Sequence, residues 1–310
     1  MLSSSLPIAL TNTVISHPPK TTTTNHASSS SHYHHSRSQS HLFPSQPLTV
    51  SKRRTIAAVP STPIIPAHEN EAEAELIPEM MPKHVAVIMD GNRRWAKMKG
   101  LPSSEGHVAC MRSLKRVVKL CLTSGVKILT AFAFSTENWV RSKEEVEFLF
   151  NVFERILSSE AEAITREGIK LSVIGDTSKL PKSLQRMITI VKESTKNNSR
   201  FQLIMAINYG GRYDIVEACK SIAKKVQNDT IDLEDINENI IEKELETEFS
   251  NPDLLIRTGG ELRLSNFLLW QLAYTELYFT PQLWPDFGKD EFEEALSSFQ
   301  QRQRRYGRRH

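Results

Sequence analysis

Four short polar runs combine residue types that handle phosphate oxygens: Asp90-Gly91-Asn92-Arg93-Arg94-Trp95, Ser135-Thr136-Glu137-Asn138-Trp139-Val140-Arg141, Asn208-Tyr209-Gly210-Gly211-Arg212, and Arg257-Thr258-Gly259-Gly260-Glu261-Leu262-Arg263-Leu264-Ser265-Asn266. Arginine recurs in all four, and its planar fork matches phosphate oxygens bidentately. Gly259-Gly260 stands ahead of Ser265, where the sequence predicts a helix start, and this suits backbone N–H donation to an anion. Asp90 and Glu276 are hard oxygen ligands of the kind Mg²⁺ takes beside the phosphates of a bound molecule. Together the runs imply a Mg²⁺-diphosphate site beside an apolar scaffold.

Each residue also has a plainer reading. An Asp that closes a strand often only serves a turn, and Asn138 has the same option. Arg257 and Arg263 are candidates for surface ion pairs, and Trp95, Trp139 and Trp270 for packing anchors. His107, which with His84 and His310 completes the histidines after residue 70, is of a type that is commonly structural when alone. The functional reading is favoured because all four runs fall where strands are expected to end.

Those strands come from apolar runs. His84–Met89 ends at Asp90 and reads as a buried strand. Val126–Phe134, Ile169–Gly175, Phe201–Tyr209 and Asp253–Arg257 read likewise. Between and after them, helical spacing is expected over Val108–Leu122, Leu184–Val191, Ile215–Val226, Ile236–Phe249 and Glu291–Arg305. Ser142 with Glu145 forms a capping box before a long amphipathic helix that runs to about Arg166 and carries Val146, Leu149, Phe150, Phe153, Ile156 and Leu157. Strand and helix in alternation predict an α/β fold: a single domain over residues 71–310, with a mostly parallel central sheet flanked by helices. In such sheets ligands sit beyond the carboxyl ends of the strands.

Composition narrows the classes further. The chain has 310 residues, 39 Lys+Arg, 36 Asp+Glu and 39% hydrophobic residues. No acid precedes Glu69, while residues 1–60 hold five basic residues, 13 Ser and 8 Thr. The rest is therefore mildly acidic, with 34 basic against 36 acidic residues, and no nucleic-acid partner is expected. A segment so poor in apolar residues is expected to be disordered. Its hydroxyl-rich, acid-free composition predicts a plastid transit peptide and linker over residues 1–70, and hence a chloroplast location; an untargeted tail is the alternative. No run of 18 apolar residues predicts a membrane span. Cys110, Cys121 and Cys219 are too scattered for a disulfide framework or a zinc site.

The runs His84–Trp95, Phe132–Val146, Ile207–Ile215 and Pro252–Phe279 resemble, in order and spacing, the cis-prenyltransferases, the family of undecaprenyl and dehydrodolichyl diphosphate synthases. The likeness extends from about Met81 to Gly307. It implies a homodimer with an apolar tunnel, and repeated condensation of isopentenyl diphosphate onto an allylic diphosphate such as farnesyl or geranylgeranyl diphosphate. It further implies a Mg²⁺ cofactor and a lipid product that brings peripheral membrane contact.

By the same resemblance, Asp90 is the metal and diphosphate anchor, with Gly91, Asn92, Arg93, Arg94 and Trp95 around the allylic diphosphate. His107, Ser135, Thr136, Glu137, Trp139 and Arg141 line the catalytic pocket, and Asn138 helps remove the proton. Arg257, Arg263 and Ser265 clamp isopentenyl diphosphate, and Glu276 is a second metal-contacting acid. Arg305-Tyr306-Gly307 resembles the family ending that reaches a dimer partner. Phe132, Ala133, Phe134, Phe201 and Leu149–Phe153 are expected to line the tunnel. Two departures stand out. Arg93 replaces a frequent Gly, and Ser103 occupies the place of a common Arg, so one phosphate contact is missing or supplied by Arg93.

Spacing from Trp139 to Gly175 favours a medium-chain product of the dehydrodolichyl type, with a short-chain neryl or Z,Z-farnesyl synthase as the alternative. An aspartyl-nucleophile phosphatase would want an Asp where Asn92 stands. A non-catalytic partner subunit would be expected to have lost Asp90 and its arginines.

Overall fold

Five successive buried residues, His84–Ile88, make the central strand β1. They are apolar but for His84, as a strand covered on both faces requires. The computed structural model describes residues 76–247 and 249–303. The expected leader and linker, residues 1–70, and Arg305-Tyr306-Gly307 lie outside the described residues.

Around β1 stand β2 (Ile128–Ser135), β3 (Ile169–Ile174), β4 (Phe201–Tyr209), β5 (Leu254–Arg257) and β6 (Glu276–Phe279). They form one parallel sheet in the order β3-β4-β2-β1-β5-β6. The helices are α1 (Asn92–Met98), α2 (Ser103–Ser124), α3 (Lys143–Arg166), α4 (Lys182–Thr195), α5 (Gly211–Gln227), α6 (Glu238–Glu244) and α7 (Lys289–Gln300). The long helix starts at the expected cap, the Ser142 hydroxyl accepting from the Glu145 N–H. The Glu145 side chain, however, turns to His107 and Arg141 and does not close the capping box.

Alternate residues of the strands feed two cores. Val85, Val87, Leu129 and Ala131 pack with α2, α3, α4 and α7, whose Leu114, Phe150, Leu184 and Phe292 are buried there. Ala86, Ile88 and Leu255 face the other way, onto Phe267, Leu268 and Leu272. The predicted single α/β domain with helices flanking a parallel sheet is what the described residues show.

Four elements differ from expectation. The first is helix α1, which begins inside the polar run Asp90–Trp95, where no helix is expected. No regular helix begins at Ser265; the chain turns instead, with positive φ at Ser265, Asn266 and Leu268 (50°, 60° and 38°). The helix expected over Ile236–Phe249 closes after Glu244. Beyond it the Glu246 N–H donates to Asp214 and its carboxylate turns to the Gly175 N–H, tertiary bonds that a continued helix would forfeit. The short edge strand β6 is not evident in the sequence.

His84 ties β1 to its neighbours. Its Nδ1 donates to the Ser250 carbonyl at 2.6 Å, so Nε2 accepts from the Thr130 hydroxyl at 2.7 Å. Burial pushes its pKa down from 6.5 to about 4, against the upward pull of Ser250 and Asp253. Between these values the unfolded chain binds a proton that the folded one refuses, so stability falls as pH drops through that window. Urea unfolding from pH 7.5 to 4 is expected to lose about 3 kcal/mol from this group. The His84→Gln variant, less stable at pH 7.5, should show a flatter profile; equal slopes would remove His84 as the source.

Candidate active site

The site grows from the ends of β1 and β5, which are neighbours with Ile88 paired to Arg257. The Thr258 hydroxyl stitches the two ends together, accepting from the Asp90 N–H at 3.0 Å and donating to its carbonyl at 2.8 Å. Arg257 has a side chain only 3% exposed, and its Nη2 donates to Asp90 Oδ2 at 2.9 Å. Nη1 donates to the Ser265 hydroxyl at 2.7 Å and also to the Arg263 carbonyl. Asp90 Oδ1 accepts from the Gly91 N–H at 2.6 Å and lies 3.4 Å from Arg94 Nη2. Arg94 also donates to the Gly259 carbonyl at 2.7 Å. Gly259 has φ 87°, and a Cβ there would stand 2.5 Å from Arg94 Nη2, so a side chain would displace that guanidinium.

A second group gathers on α3. Glu145 lies 3.3 Å from His107 Nε2, 3.5 Å from Arg141 and 3.8 Å from Arg93. Burial lowers the His107 pKa, as do Arg141 and Arg93, while Glu145 opposes them. His107 is thereby favoured as a neutral imidazole.

The loop after β2 is fixed from within and from outside. Asn138 Oδ1 accepts from the Ser135 N–H at 3.2 Å. Glu137 accepts from the Ser135 hydroxyl and from Asn266 Nδ2, the latter at 2.7 Å. Burial pulls its carboxyl upward, but these hydrogen bonds outweigh it and hold the pKa below the ordinary range. Trp139 Nε1 donates to Asn208 Oδ1 at 2.7 Å, and Asn208 Nδ2 donates to the Asp176 carbonyl at 2.8 Å. A Cβ on Gly210 would meet Thr136 Oγ1 at 2.5 Å, so the turn after β4 and this loop approach as closely as glycine allows.

One cavity of about 630 Å³ collects most of the predicted residues: Asp90, Gly91, Asn92, Arg93, Arg94, His107, Ser135, Glu137, Asn138, Arg141, Arg257, Arg263 and Ser265. Its apolar wall is Ile88, Met89, Cys110, Met111, Phe132, Ala133, Leu149 and Phe153. A second, apolar cavity of about 300 Å³ lies between α2 and α3 and shares Met111 and Phe153 with the first. At the polar end, Asn92 Oδ1 and Arg257 Nε are buried without a partner in the protein. A bound anion would accept from the Arg257 Nε–H, whereas Asn92 Oδ1 needs a donor such as a water molecule.

Four predicted residues stand elsewhere. Trp95 donates to Asp286 at 2.7 Å, and Trp139 packs on Phe134 and Phe150; both anchor loops and do not line the cavity. Thr136 packs on Gly210. Glu276 begins β6 opposite Leu254, three residues and so about 10 Å upstream of Arg257, and bonds Arg302 at 2.8 Å. Phe134 and Phe201, expected along the tunnel, line neither cavity and are buried in the core, Phe201 at the far end of β4. Among the described residues no three His, Cys, Asp or Glu side chains converge as a protein-only metal cage. A single carboxylate supplemented by phosphate oxygens is nevertheless a coordination that Mg²⁺ accepts, and Asp90 fits it.

Two residues with clear positioning tasks, Asn208 and Glu145, carried no such signal in the sequence beyond their place at a strand end and a helix cap. The Asn208→Leu variant removes the acceptor for Trp139 and places a branched side chain at φ 55°. It is expected to cost about 2–4 kcal/mol in urea unfolding, and Asn208→Asp, which keeps the acceptor, clearly less. Equal losses would count against the Trp139 bond.

Comparison with known proteins agrees with this geometry. Residues 88–307 match the Prenyltransf family model, undecaprenyl diphosphate synthase. The chain is 57% identical over 244 residues to dehydrodolichyl diphosphate synthase 2 of Arabidopsis thaliana, covering 78% of this chain and 79% of the relative. It is 53% identical over 240 residues to nerylneryl diphosphate synthase CPT2, chloroplastic, of Solanum lycopersicum, covering 77% and 75%. Among solved structures, lavandulyl diphosphate synthase from Lavandula x intermedia in complex with dimethylallyl diphosphate superposes with a TM-score of 0.72 at 44% identity, covering 74% of this chain and all of that one. The parallel sheet, the arginine-lined cavity at its carboxyl edge and these matches agree: the chain belongs to the undecaprenyl diphosphate synthase family of cis-prenyltransferases.

Proposed function

We propose that this enzyme condenses isopentenyl diphosphate with an allylic diphosphate, farnesyl or geranylgeranyl, to build a medium-chain cis-polyprenyl diphosphate. The observation that carries the reading is the junction of the two cavities, a polar one rimmed by Arg93, Arg94, Arg141, Arg257 and Arg263 and an apolar one behind it. A diphosphate head with an isoprenoid tail has those two needs in that order.

Arg94 and Arg93 would hold the allylic diphosphate, with Asp90 acting through the metal, and the guanidinium donors would face the charge that develops as it leaves. Asp90 would hold Mg²⁺, which when bound would supply Lewis-acid stabilisation of that leaving group. Glu276 does not reach Asp90 within one chain, so the reading gives it no metal contact there. Arg263, Ser265 and Arg257 would orient isopentenyl diphosphate so that its alkene faces the allylic carbon, which is positional work. Asn138, with neutral His107 nearby, would assist proton removal. Met111, Ala133, Leu149 and Phe153 exclude the water that would quench an allylic cation. Ser103 lies on the hollow that Arg93, Arg94 and Lys97 also line, so Arg93 is positioned to take over the phosphate contact that an Arg at 103 would make. Action as a homodimer, in the chloroplast, with peripheral membrane contact through the lipid product, completes the proposal.

Depth favours the medium-chain form. From Leu149 to Glu167, α3 borders the two cavities for about 27 Å at 1.5 Å per residue, more than a neryl-length tail needs. The neck at Met111 and Phe153 favours the short-chain alternative.

The test is to incubate the purified protein with Mg²⁺, labelled isopentenyl diphosphate and each of four primers (dimethylallyl, geranyl, farnesyl, geranylgeranyl), then resolve products by length. Primer-dependent incorporation is expected, and its absence would defeat the enzyme reading. Asp90→Asn, which keeps an acceptor for Arg257, should lower kcat/KM by roughly 10³-fold or more with the fold intact by circular dichroism. Ala133→Leu should shorten the products; unchanged length would reject that residue as lining.

A further inference from the structure

We propose that the ion pair between Lys115 and Glu160 is a latch across the apolar cavity and limits product length; this rests on the prenyltransferase reading of the same cavities. Both α2 and α3 start at the active site and run away from it, with the cavity between them. Past the neck at Met111 and Phe153, Lys115 stands one turn further along α2 and Glu160 two turns further along α3. Lys115 Nζ lies 2.7 Å from Glu160 Oε2 and 2.8 Å from Oε1.

Both residues border the cavity, in company with apolar neighbours such as Val118, Ile156 and Ile164. Among the described residues this is the ion pair that joins α2 to α3; at the mouth the neutral His107 meets Glu145 through a hydrogen bond. The pair therefore spans the gap between the helices partway along the chain's path. Its side chains are 54% and 27% exposed, so it is screened by salt and weak on its own.

Each condensation lengthens the tail by one isoprene unit inside a cavity of fixed depth. Once the cavity is filled, the tail must either stop the reaction or part α2 from α3. Parting them at this depth means breaking the Lys115–Glu160 contact. A weak latch makes a soft boundary, with a distribution of lengths rather than one product.

The experiment measures product lengths for the full-length protein with Mg²⁺, labelled isopentenyl diphosphate and farnesyl diphosphate. Lys115→Met and Glu160→Gln keep side-chain bulk and remove the pairing. Each is expected to raise the share of products longer than the wild type's main species about two- to fivefold, at unchanged total incorporation. The charge-reversed double variant Lys115→Glu/Glu160→Lys should return the wild-type distribution. Adding about 0.5 M NaCl should lengthen wild-type products and leave those of the single variants unmoved. Glu160→Asp, which retains the charge on a shorter arm, serves if a neutral variant fails to fold. Unchanged lengths in the single variants overturn the latch. A shift that charge reversal does not reverse also overturns it, assigning the effect to packing. No incorporation by the wild type instead sinks the prenyltransferase reading itself.

Discussion

A guanidinium as buried as that of Arg257 has to be met by a carboxylate and by carbonyl or hydroxyl acceptors, and this requirement organises the site. Stripping one partner from such a pair costs several kcal/mol because the other charge stays buried and uncompensated. Asp90 is the carboxylate, Ser265 and the Arg263 carbonyl the acceptors. They arrive from two segments, the end of β1 and the loop that follows β5, and meet Arg257 at the end of β5. Satisfying Arg257 thus fixes these three stretches of backbone against one another before any ligand enters. Preorganisation of this kind removes the reorganisation that would otherwise accompany charge development in the reaction.

The apolar cavity answers a different constraint. Protein interiors are packed to crystal-like density, and a void of hundreds of cubic ångströms forfeits dispersion contacts along its whole lining. The sheet tolerates it here because α2 and α3 each bury a second stripe. Val117 and Cys121 on α2, and Val146, Phe150 and Val152 on α3, are buried in the core away from the cavity. The helices are anchored through those residues, which leaves their facing stripes free to line a space that a tail would fill. Ligand burial then recovers contacts that the empty fold gives up.

Much of this was legible in the sequence, for definite reasons. Central parallel strands read as unbroken apolar runs, so β1, β2 and β4 were apparent. Ser142 marked the start of α3 because its cap is a local hydrogen bond. The polar runs at strand ends fell together because parallel strands present all their carboxyl ends on one edge. What escaped depends on bonds made across the fold. Glu276 read as a metal ligand from its residue type and from the family resemblance; within one chain it stands at the entry of β6 and bonds Arg302. Helix α6 stops where Glu246 is needed by Asp214 and Gly175. Trp95 and Trp139 sit in site motifs, but their indole N–H groups find acceptors in Asp286 and Asn208, which makes them anchors of the loops that carry the site. Glu145 read only as half of a capping box, and its position amid His107, Arg93 and Arg141 emerges once α1, α2 and the loop after β2 converge on α3.

The irregular backbone from Gly259 to Asn266 makes physical sense against the charge of the ligand. A helix beginning there would have offered N–H groups to an anion, as the sequence led one to expect. The left-handed turns at Gly259, Gly260, Ser265 and Asn266 instead accompany carbonyls that meet arginines: Gly259 holds Arg94 and Arg263 holds Arg257. A carbonyl satisfies a guanidinium N–H without cancelling its charge, whereas a carboxylate would do both. The cavity lining holds five arginines and two acids, Asp90 and Glu137, with Glu145 behind Arg93 and Arg141 and Glu261 on Arg263. The guanidinium N–H groups that these carboxylates and carbonyls leave free are what a diphosphate at the carboxyl edge of the sheet would meet.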